Sequence, residues 1–305
     1  MEPRQHAGTG DTRVIQQLAS LSWPRGWHPG GLGWALARGQ LAERVVLFEE
    51  TGRTVAWVAL GMDDPDYHLV QVHPDHPDLT REVINWLLEN VDARRAKVEV
   101  TDLDRPAVAA LAQAGLFPSA EAQVLGMRRT ARHDSQALPA GYTVRSVRPD
   151  ELEARVEVHR SAWRPEDLPY EPGRQPRVEP GATSSFTKHS YQAVRDTWLY
   201  QPGLDLVALD LDGEMVGCCI AWYDPVNRVA EIEPMGVIAP HRGRGLAPAI
   251  CREVARRVAD LGGRQLFINT GPRLEYPAPG RTYAAAGFET FVRATTYSRP
   301  RIPAP

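Results

Sequence analysis

Lysine is nearly missing from this chain. Of its 35 basic residues only Lys97 and Lys188 are lysine; the rest are arginine. That bias reflects codon usage and carries no function. Cysteine is scarce as well: Cys218, Cys219 and Cys251, an odd number with two adjacent, form no disulfide framework. Neither sign of charge dominates. The 35 basic residues face 38 acidic ones, a formal net charge of −3, which argues against a dedicated nucleic-acid binder. No apolar run approaches the ~18–20 residues of a membrane span. The stretch Met1 to Thr12 is polar and lacks the apolar heart of a signal peptide. The expectation is a reduced cytoplasmic protein with no nucleic-acid or membrane partner.

What is present is ordinary for a globular protein: 43% hydrophobic and 24% charged residues. Proline is abundant, 26 in 305 residues, and is scattered as loop punctuation. At roughly 150 residues per domain, the length suggests two domains. A polar stretch, Ala131 to Ala140, contains Pro139 and no apolar periodicity, and reads as the linker.

The segments on either side share a rhythm. Val45 to Phe48, a turn at Gly52, and Val55 to Ala59 read as a hairpin, and so do Leu206 to Leu209, Gly213, and Val216 to Ile220. Each is followed by a strand ending in Val72-His73-Pro74 or Ile238-Ala239-Pro240, then an amphipathic helix and another strand. Each ends in Ala-Gly plus an apolar residue: Ala114-Gly115-Leu116 and Ala286-Gly287-Phe288. The offset between copies grows from 161 (Gly52 to Gly213) through 166 (Pro74 to Pro240) to 172 (Gly115 to Gly287), as small loop insertions would cause. An internal duplication of a mixed α/β unit is the economical reading. The helix after Pro240 carries Ile250, Val254, Val258 and Leu261 at helical spacing. It begins shortly before Pro248 and stops at Gly262-Gly263.

Between that strand and helix lies Pro240-His241-Arg242-Gly243-Arg244-Gly245-Leu246-Ala247. Glycines let the backbone curl close to a ligand, and amides at a helix N-terminus suit phosphate. A bare Gly-x-Gly would read as a decorated surface turn. No Gly-Lys-Ser/Thr is present, which excludes a Walker loop. Pro248 occupies the third glycine position of a dinucleotide fingerprint, and the loop comes late in the chain, so that motif fits poorly as well.

These residues resemble the GNAT superfamily of acyl-CoA-dependent N-acyltransferases. Arg242-Gly243-Arg244-Gly245-Leu246-Ala247 matches that family's Arg/Gln-x-x-Gly-x-Gly/Ala signature, and Tyr283-Ala284-Ala285-Ala286-Gly287-Phe288 its Tyr-x-x-x-Gly-Phe ending. The resemblance implies two tandem α/β (α+β) lobes, each a twisted, mixed but mostly antiparallel sheet flanked by helices. It implies acetyl-CoA or another acyl-CoA as co-substrate and no metal. Arg242 to Ala247 would hold the pyrophosphate, Val237 and Ile238 the pantetheine, and Asn269 is a further cofactor-contact candidate. Tyr283 would sit near the thioester sulfur as the acid. Tyr276 stands where the family often has a CoA-contacting asparagine.

An ammonium acceptor must lose a proton before attacking a thioester, and a carboxylate can take it directly or through water. Strand alternation would put Glu231, Glu233, Met235 and Val237 on one face, so Glu233 and Glu231 are candidate bases, or attractors of a cationic amine. Either glutamate can equally be structural.

The boundaries expected are 1–135 for the first lobe and 136–305 for the second. In the first, His76 to Arg81 stands where Arg242 to Ala247 stands: both glycines are gone, Pro77 removes a donor, and Leu111 replaces the tyrosine. A non-catalytic lobe is expected. His73, Asp75, His76 and Asp78 have metal-ligand side chains, but Pro74 and Pro77 break the helix that would align them, so no metal site is expected. The cysteines read as buried small hydrophobes. Trp163, Tyr170, His189, Tyr191 and Trp198 read as core, with one or two lining an acceptor pocket. Pro169 to Ser185 holds four prolines and reads as a long loop or lid. The leading reading is acetyl transfer to a primary amine of a small molecule, by a monomer or homodimer. The alternatives are a non-catalytic acyl-CoA-binding module, or a transferase using a longer acyl-CoA or carrier-protein thioester.

Overall fold

The computed structural model describes residues 1–39, 44–62, 64–133, 137–179, 181–271 and 276–300. Part of the expected linker (134–136) and part of the segment before Tyr283 (272–275) lie outside the described residues. Two compact units emerge: Met1–Leu125 together with Val292–Pro305, and Gly126–Phe291.

The first unit runs β1 (Glu2–Gln5), α1 (Thr9–Ser22), α2 (Pro29–Ala37), β2 (Val45–Glu50), β3 (Arg53–Met62), β4 (Asp64–Val72), α3 (Thr80–Glu89), β5 (Lys97–Thr101) and α4 (Arg105–Gln113). Strand β6 (Phe117–Thr130) leads onward into the second unit. That unit repeats the order as β7 (Thr143–Ser146), α5 (Leu152–Ala162), α6 (Lys188–Arg195), β8 (Asp205–Leu209), β9 (Met215–Asp224), β10 (Val229–Val237), α7 (Leu246–Asp260), β11 (Gln265–Thr270) and α8 (Ala278–Ala285). Strand β12 (Glu289–Ser298) ends the described chain.

The duplication read from the sequence is therefore present element for element. Strands follow the order β1-β2-β3-β4-β5-β12 in the first unit and β6-β11-β10-β9-β8-β7 in the second. The parallel pairs are β4 with β5 and β10 with β11, and β1–β2, β2–β3, β3–β4, β5–β12, β10–β9, β9–β8 and β8–β7 are antiparallel. The last strand was expected with the second lobe. Its residues Ala294 to Ser298 instead pair antiparallel with Thr101 to Lys97 of β5, inside the first unit.

Period-2 alternation builds the first unit's two cores. Val46, Phe48, Ala56, Val58, Val98 and Val100 face α3 and α4, through Val83, Ile84, Leu87 and Leu111. Val45, Leu47, Trp57, Ala59 and Leu69 face α1 and α2, through Ile15, Leu18, Leu32 and Leu36. Each fully buried Leu or Ile contributes roughly 1.5–3 kcal/mol.

In the second unit, α5 covers Cys218 and Val207 with Val158. A buried polar knot ties α5 and α6 to β8. Arg155 Nε donates to Asp205 at 3.0 Å, and the Tyr191 and Tyr200 hydroxyls donate to the other oxygen at 2.6 and 3.0 Å. Helix α7 buries Ile250, Val254 and Val258 as its spacing predicts. Leu261 does not join them: it lies just past the helix and is 47% exposed. Gly262, in the left-handed region, ends the turn there.

Candidate functional site

In the second unit, β10 and β11 pair for only three residues, Val229 to Glu231 with Gln265 to Phe267. Strand β10 then continues to Val237 and β11 to Thr270, and past Ile232 β10 pairs only with β9 among the described strands. The strands part at the end where the glycine loop and α7 begin.

The loop has the predicted form. Ala239–His241 makes one tight turn, Gly243 and Gly245 take φ of +72° and +76°, and Gly245 caps α7 with no side-chain hydrogen bond. The left-handed region costs other residues roughly 1–2 kcal/mol, which is why glycine stands there. A Cβ on Gly243 would meet nothing within 4 Å, and one on Gly245 only Pro139 Cγ at 3.8 Å. The backbone is thus bare to an approaching ligand, beside the positive end of α7.

Of the predicted loop residues, Gly243, Arg244 and Gly245 are exposed, Ala247 is half-buried and Leu246 is buried as a core anchor. The Arg242 side chain does a different task. Its Nε donates to the Val237 carbonyl at 2.9 Å, its Nη2 to Ala162 at 2.9 Å and its Nη1 to Asp167. Burial pulls this guanidinium below its usual range. Arg242 ties β10 to the segment after α5, and the anion-facing part of the loop is backbone. Arg244 Nη1 reaches Tyr142 Oη at 3.4 Å, and that hydroxyl bonds His241 Nδ1 at 3.0 Å.

Met235 and Val237 do not share a face with Glu231. Ile232 pairs with Ala221 but Met235 with Cys219, so β10 carries one extra residue between them. Such a bulge inverts the alternation beyond it. Glu231, opposite Trp222, lies on the face of Gly236 and Cys218, where Trp163 and Ala162 of the α5 region pack over Gly236. Met235 and Val237 turn to the α7 face, where Ile250 meets Gly217.

The bulge holds Glu233, half-buried, whose carbonyl accepts from Trp222 Nε1 at 2.5 Å. Glu231 is 2% exposed and accepts from Asn269 Nδ2 at 3.0 Å. Asn269 thus engages Glu231 across the parting strands, and no other bond of its side chain is described.

Tyr283, on the inner side of α8, packs against Phe288 with ring centroids 6.1 Å apart. Burial first, then the neighbouring Cys251, Glu233, Tyr276 and Cys219, hold its hydroxyl proton well above the usual tyrosine range. The charge of Glu233 thus acts on that proton, while Glu231 lies on the α5 face of β10. The Tyr283 hydroxyl finds no hydrogen-bond partner among the described residues. Tyr276 stacks on Tyr170 at 5.0 Å, and Arg281 pairs with Glu171 at 3.2 Å. The long loop read at Pro169 to Ser185 has no helix or strand among its described residues. Its start is held against α8 by these contacts. Tyr142 and Pro139 beside the glycine loop carry no local sequence signal, because their role is contact across a hundred residues.

The first unit parts its strands in the same way. Tyr67 to Leu69 pair with Lys97 to Glu99, and β4 and β5 then run on to Val72 and Thr101. Here the gap is filled from within. Arg25, Gly26 and Trp27 lie against Val70, Gln71, Val100 and Thr101, leaving a cavity of about 20 Å³. Thr101 Oγ1 donates to the Arg25 carbonyl, and Gln71 Nε2 lies 1.9 Å from where a Cβ of Gly26 would be. Trp27 hydrogen-bonds Glu99, whose carboxyl burial holds above the usual range. Leu111, at the tyrosine position, is fully buried.

Among the described residues no group of three or more His, Cys, Asp or Glu is arranged to hold a metal ion. No described helix is long and apolar enough to cross a membrane. Cys218, Cys219 and Cys251 are buried free thiols.

Residues 160–288 match the Acetyltransferase (GNAT) family. No curated protein matches the chain. Among solved structures, the chain is similar to a GCN5-related N-acetyltransferase from Sphaerobacter thermophilus, with 21% identity over 99% of this chain and 97% of that one and a TM-score of 0.55. A tandem GNAT protein from the clavulanic acid biosynthesis pathway shares 19% identity over 100% and 99% of the two chains, with a TM-score of 0.57. An acetyltransferase of the GNAT family from Colwellia psychrerythraea shares 12% over 98% and 100%, with a TM-score of 0.62.

Proposed function

Because the chain carries an acetyltransferase domain of the GNAT family over residues 160–288, we propose that its second unit transfers an acetyl group from acetyl-CoA to a primary amine of a small molecule. Acetyl-CoA brings the activated thioester. The bare backbone at Gly243 and Gly245 fits its pyrophosphate, and the unpaired β10 edge from Ile232 to Val237 offers peptide groups to its pantetheine. Val237 and Ile238 lie on that path, held by Arg242 and by the Ile238 amide bonding the Val216 carbonyl at 3.0 Å.

The observation that carries the reading is the bare glycine loop beside the parting of β10 and β11, with Glu233 in the bulge of β10 and the buried Tyr283 on α8 as the acid–base candidates. Glu233 takes the ammonium proton, directly or through water. The freed amine attacks the thioester carbonyl, the carbon–sulfur bond breaks as the nitrogen sheds its second proton, and the departing thiolate takes a proton from the Tyr283 hydroxyl, which the proton shed by nitrogen then restores. The hydroxyl is protonated before a thiolate forms, burial holding its proton above the usual tyrosine range. Glu231, fixed by Asn269, shapes the acceptor side. The first unit serves as a structural lobe, its own gap being filled by Arg25 to Trp27.

Thiol release from acetyl-CoA, screened against a varied panel of amines, tests this. Release with at least one amine, abolished by Tyr283→Phe and Glu233→Gln, is the expected result. CoA-dependent thermal stabilisation without thiol release from any amine would instead favour a binding module.

A further inference from the structure

Beside the middle of α7, the second unit contains a cleft of about 520 Å³ lined by four arginines: Arg128, Arg129, Arg132 and Arg252. Glu289 is the one acid on its wall. The protein as a whole carries a net charge of −3, so this concentration of positive charge is local.

The four arginines are not equivalent. Arg129 is buried and donates to the Ala286 carbonyl at 2.6 Å, securing the end of α8. Arg128 lies over the Phe291 ring, its guanidinium carbon 4.2 Å from the centroid. Arg132 is exposed and makes no ion pair among the described residues. Arg252 also makes none, and its buried Nε has no hydrogen-bond partner. Guanidinium groups gathered in a concave wall repel one another and focus positive potential into the cleft. Their planar forks match the oxygens of phosphate and carboxylate.

The cleft is distinct from the proposed CoA path. Arg252 lies six residues into α7, about 9 Å along its axis from Leu246 at 1.5 Å per residue. Other lining comes from the start of β11 (Gln265), the end of α8 (Ala285) and the residues after it (Ala286 and Gly287); Gln265 is at the opposite end of β11 from its parting with β10.

We propose that this cleft is a second ligand site, taking a small polyanion with two or more phosphate or carboxylate groups. Its volume suits a molecule of nucleotide size or smaller. Arg128, Arg132 and Arg252 supply the charge, and Thr130 and Gln265 the neutral polar contacts. This site stands whether or not the second unit acetylates amines.

Titration calorimetry of the full chain at low ionic strength tests it, with inorganic pyrophosphate, ADP and citrate as probes. At least one probe should bind with a Kd of about 1 mM or tighter. The double variant Arg132→Ala/Arg252→Ala should weaken that binding at least about tenfold, while acetyl-CoA affinity stays within about twofold and the melting temperature is kept. The loop variant Gly245→Val should leave probe binding unchanged. Arg132→Glu, at an exposed position, gives the same answer if the double variant folds poorly. Tighter binding of ADP than of pyrophosphate marks a nucleotide ligand, equal binding a free phosphate compound, and tightest binding of citrate a polycarboxylate. Absence of binding by all three probes overturns the proposal. So does equal affinity in the arginine variants, or loss seen only in Gly245→Val.

Discussion

Tyr283 sits on α8 and Glu233 in a bulge of β10, and neither is placed there by its own neighbours in sequence. With Glu233 as base and Tyr283 as proton donor, Tyr283→Phe should lower kcat by about 10²-fold or more, with the KM for acetyl-CoA little changed. Steady-state kinetics on any accepted amine measures this. Glu233→Gln should cost a similar factor, and Glu231→Gln much less, because Glu231 lies on the opposite face with Asn269. Equal losses from both glutamate variants would reverse that assignment. At Gly245, valine would have to adopt a φ of +76° and would set a side chain over the bare amides. Gly245→Val should lose roughly 1–2 kcal/mol of stability and most acetyl-CoA affinity, read by calorimetry and thermal unfolding of one preparation. The glycines, the tyrosine and both glutamates were legible in the sequence as residue types at known spacing. The bulge that sets the two glutamates apart was not.

The elements around the site are fixed by polar ties that composition does not reveal. Arg242 bonds three backbone carbonyls, on Val237, Ala162 and Asp167, and so joins β10 to the chain after α5. From the sequence, this loop's pyrophosphate grip belongs to its amides, with Arg242 adding charge; the fold makes the Arg242 side chain a strut. Arg242→Met should remove about 3 kcal/mol of stability, at 0.5–1.5 kcal/mol for each ordinary hydrogen bond and more for charged donors. Chemical denaturation measures the loss. Asp205 is a second tie. Asp205→Ala would leave the fully buried Arg155 without its counter-charge, an uncompensated burial worth about 3–5 kcal/mol. A loss below about 1 kcal/mol would show that Arg155 finds another partner. Helix α7 was legible almost to its ends, because a 3.6-residue stripe and terminal glycines are local signals. The inverted alternation of β10 was not, because a bulge is set by how β9 and β10 pair over their length.

At the scale of the whole molecule, one duplicated design has taken two forms. Both units part a parallel strand pair after three residues. In the first, the short α1–α2 connection carries Arg25 to Trp27 into the gap and buries Glu99 beneath them. Burial raises the folded-state pKa of Glu99 above its unfolded value. Between those two values the folded chain keeps a proton that the unfolded chain has released. Stability therefore falls as pH rises from the ordinary carboxylate range through the folded pKa. The Tyr67 hydroxyl donates to Glu99, and Glu99→Gln keeps an amide oxygen to accept from it while removing the titration. Its melting temperature should match the wild type in acid and exceed it at neutral pH. A difference that does not vary with pH would refute this account.

The sequence by itself determined the duplication, the glycine loop with its helix, the α/β composition of each half and the loss of the loop motif from the first. Those features are carried by periodicity and by glycine and proline positions, which act within a few residues of themselves. Only the tertiary structure decided that β12 completes the first unit, that Arg242 is a strut, that a bulge takes Glu233 out of the strand alternation that Glu231 follows, and that four arginines line one cleft. Each of these depends on pairing or burial between residues far apart in the chain. Such contacts are selected by the free energy of the packed whole, and no local pattern of residues encodes them.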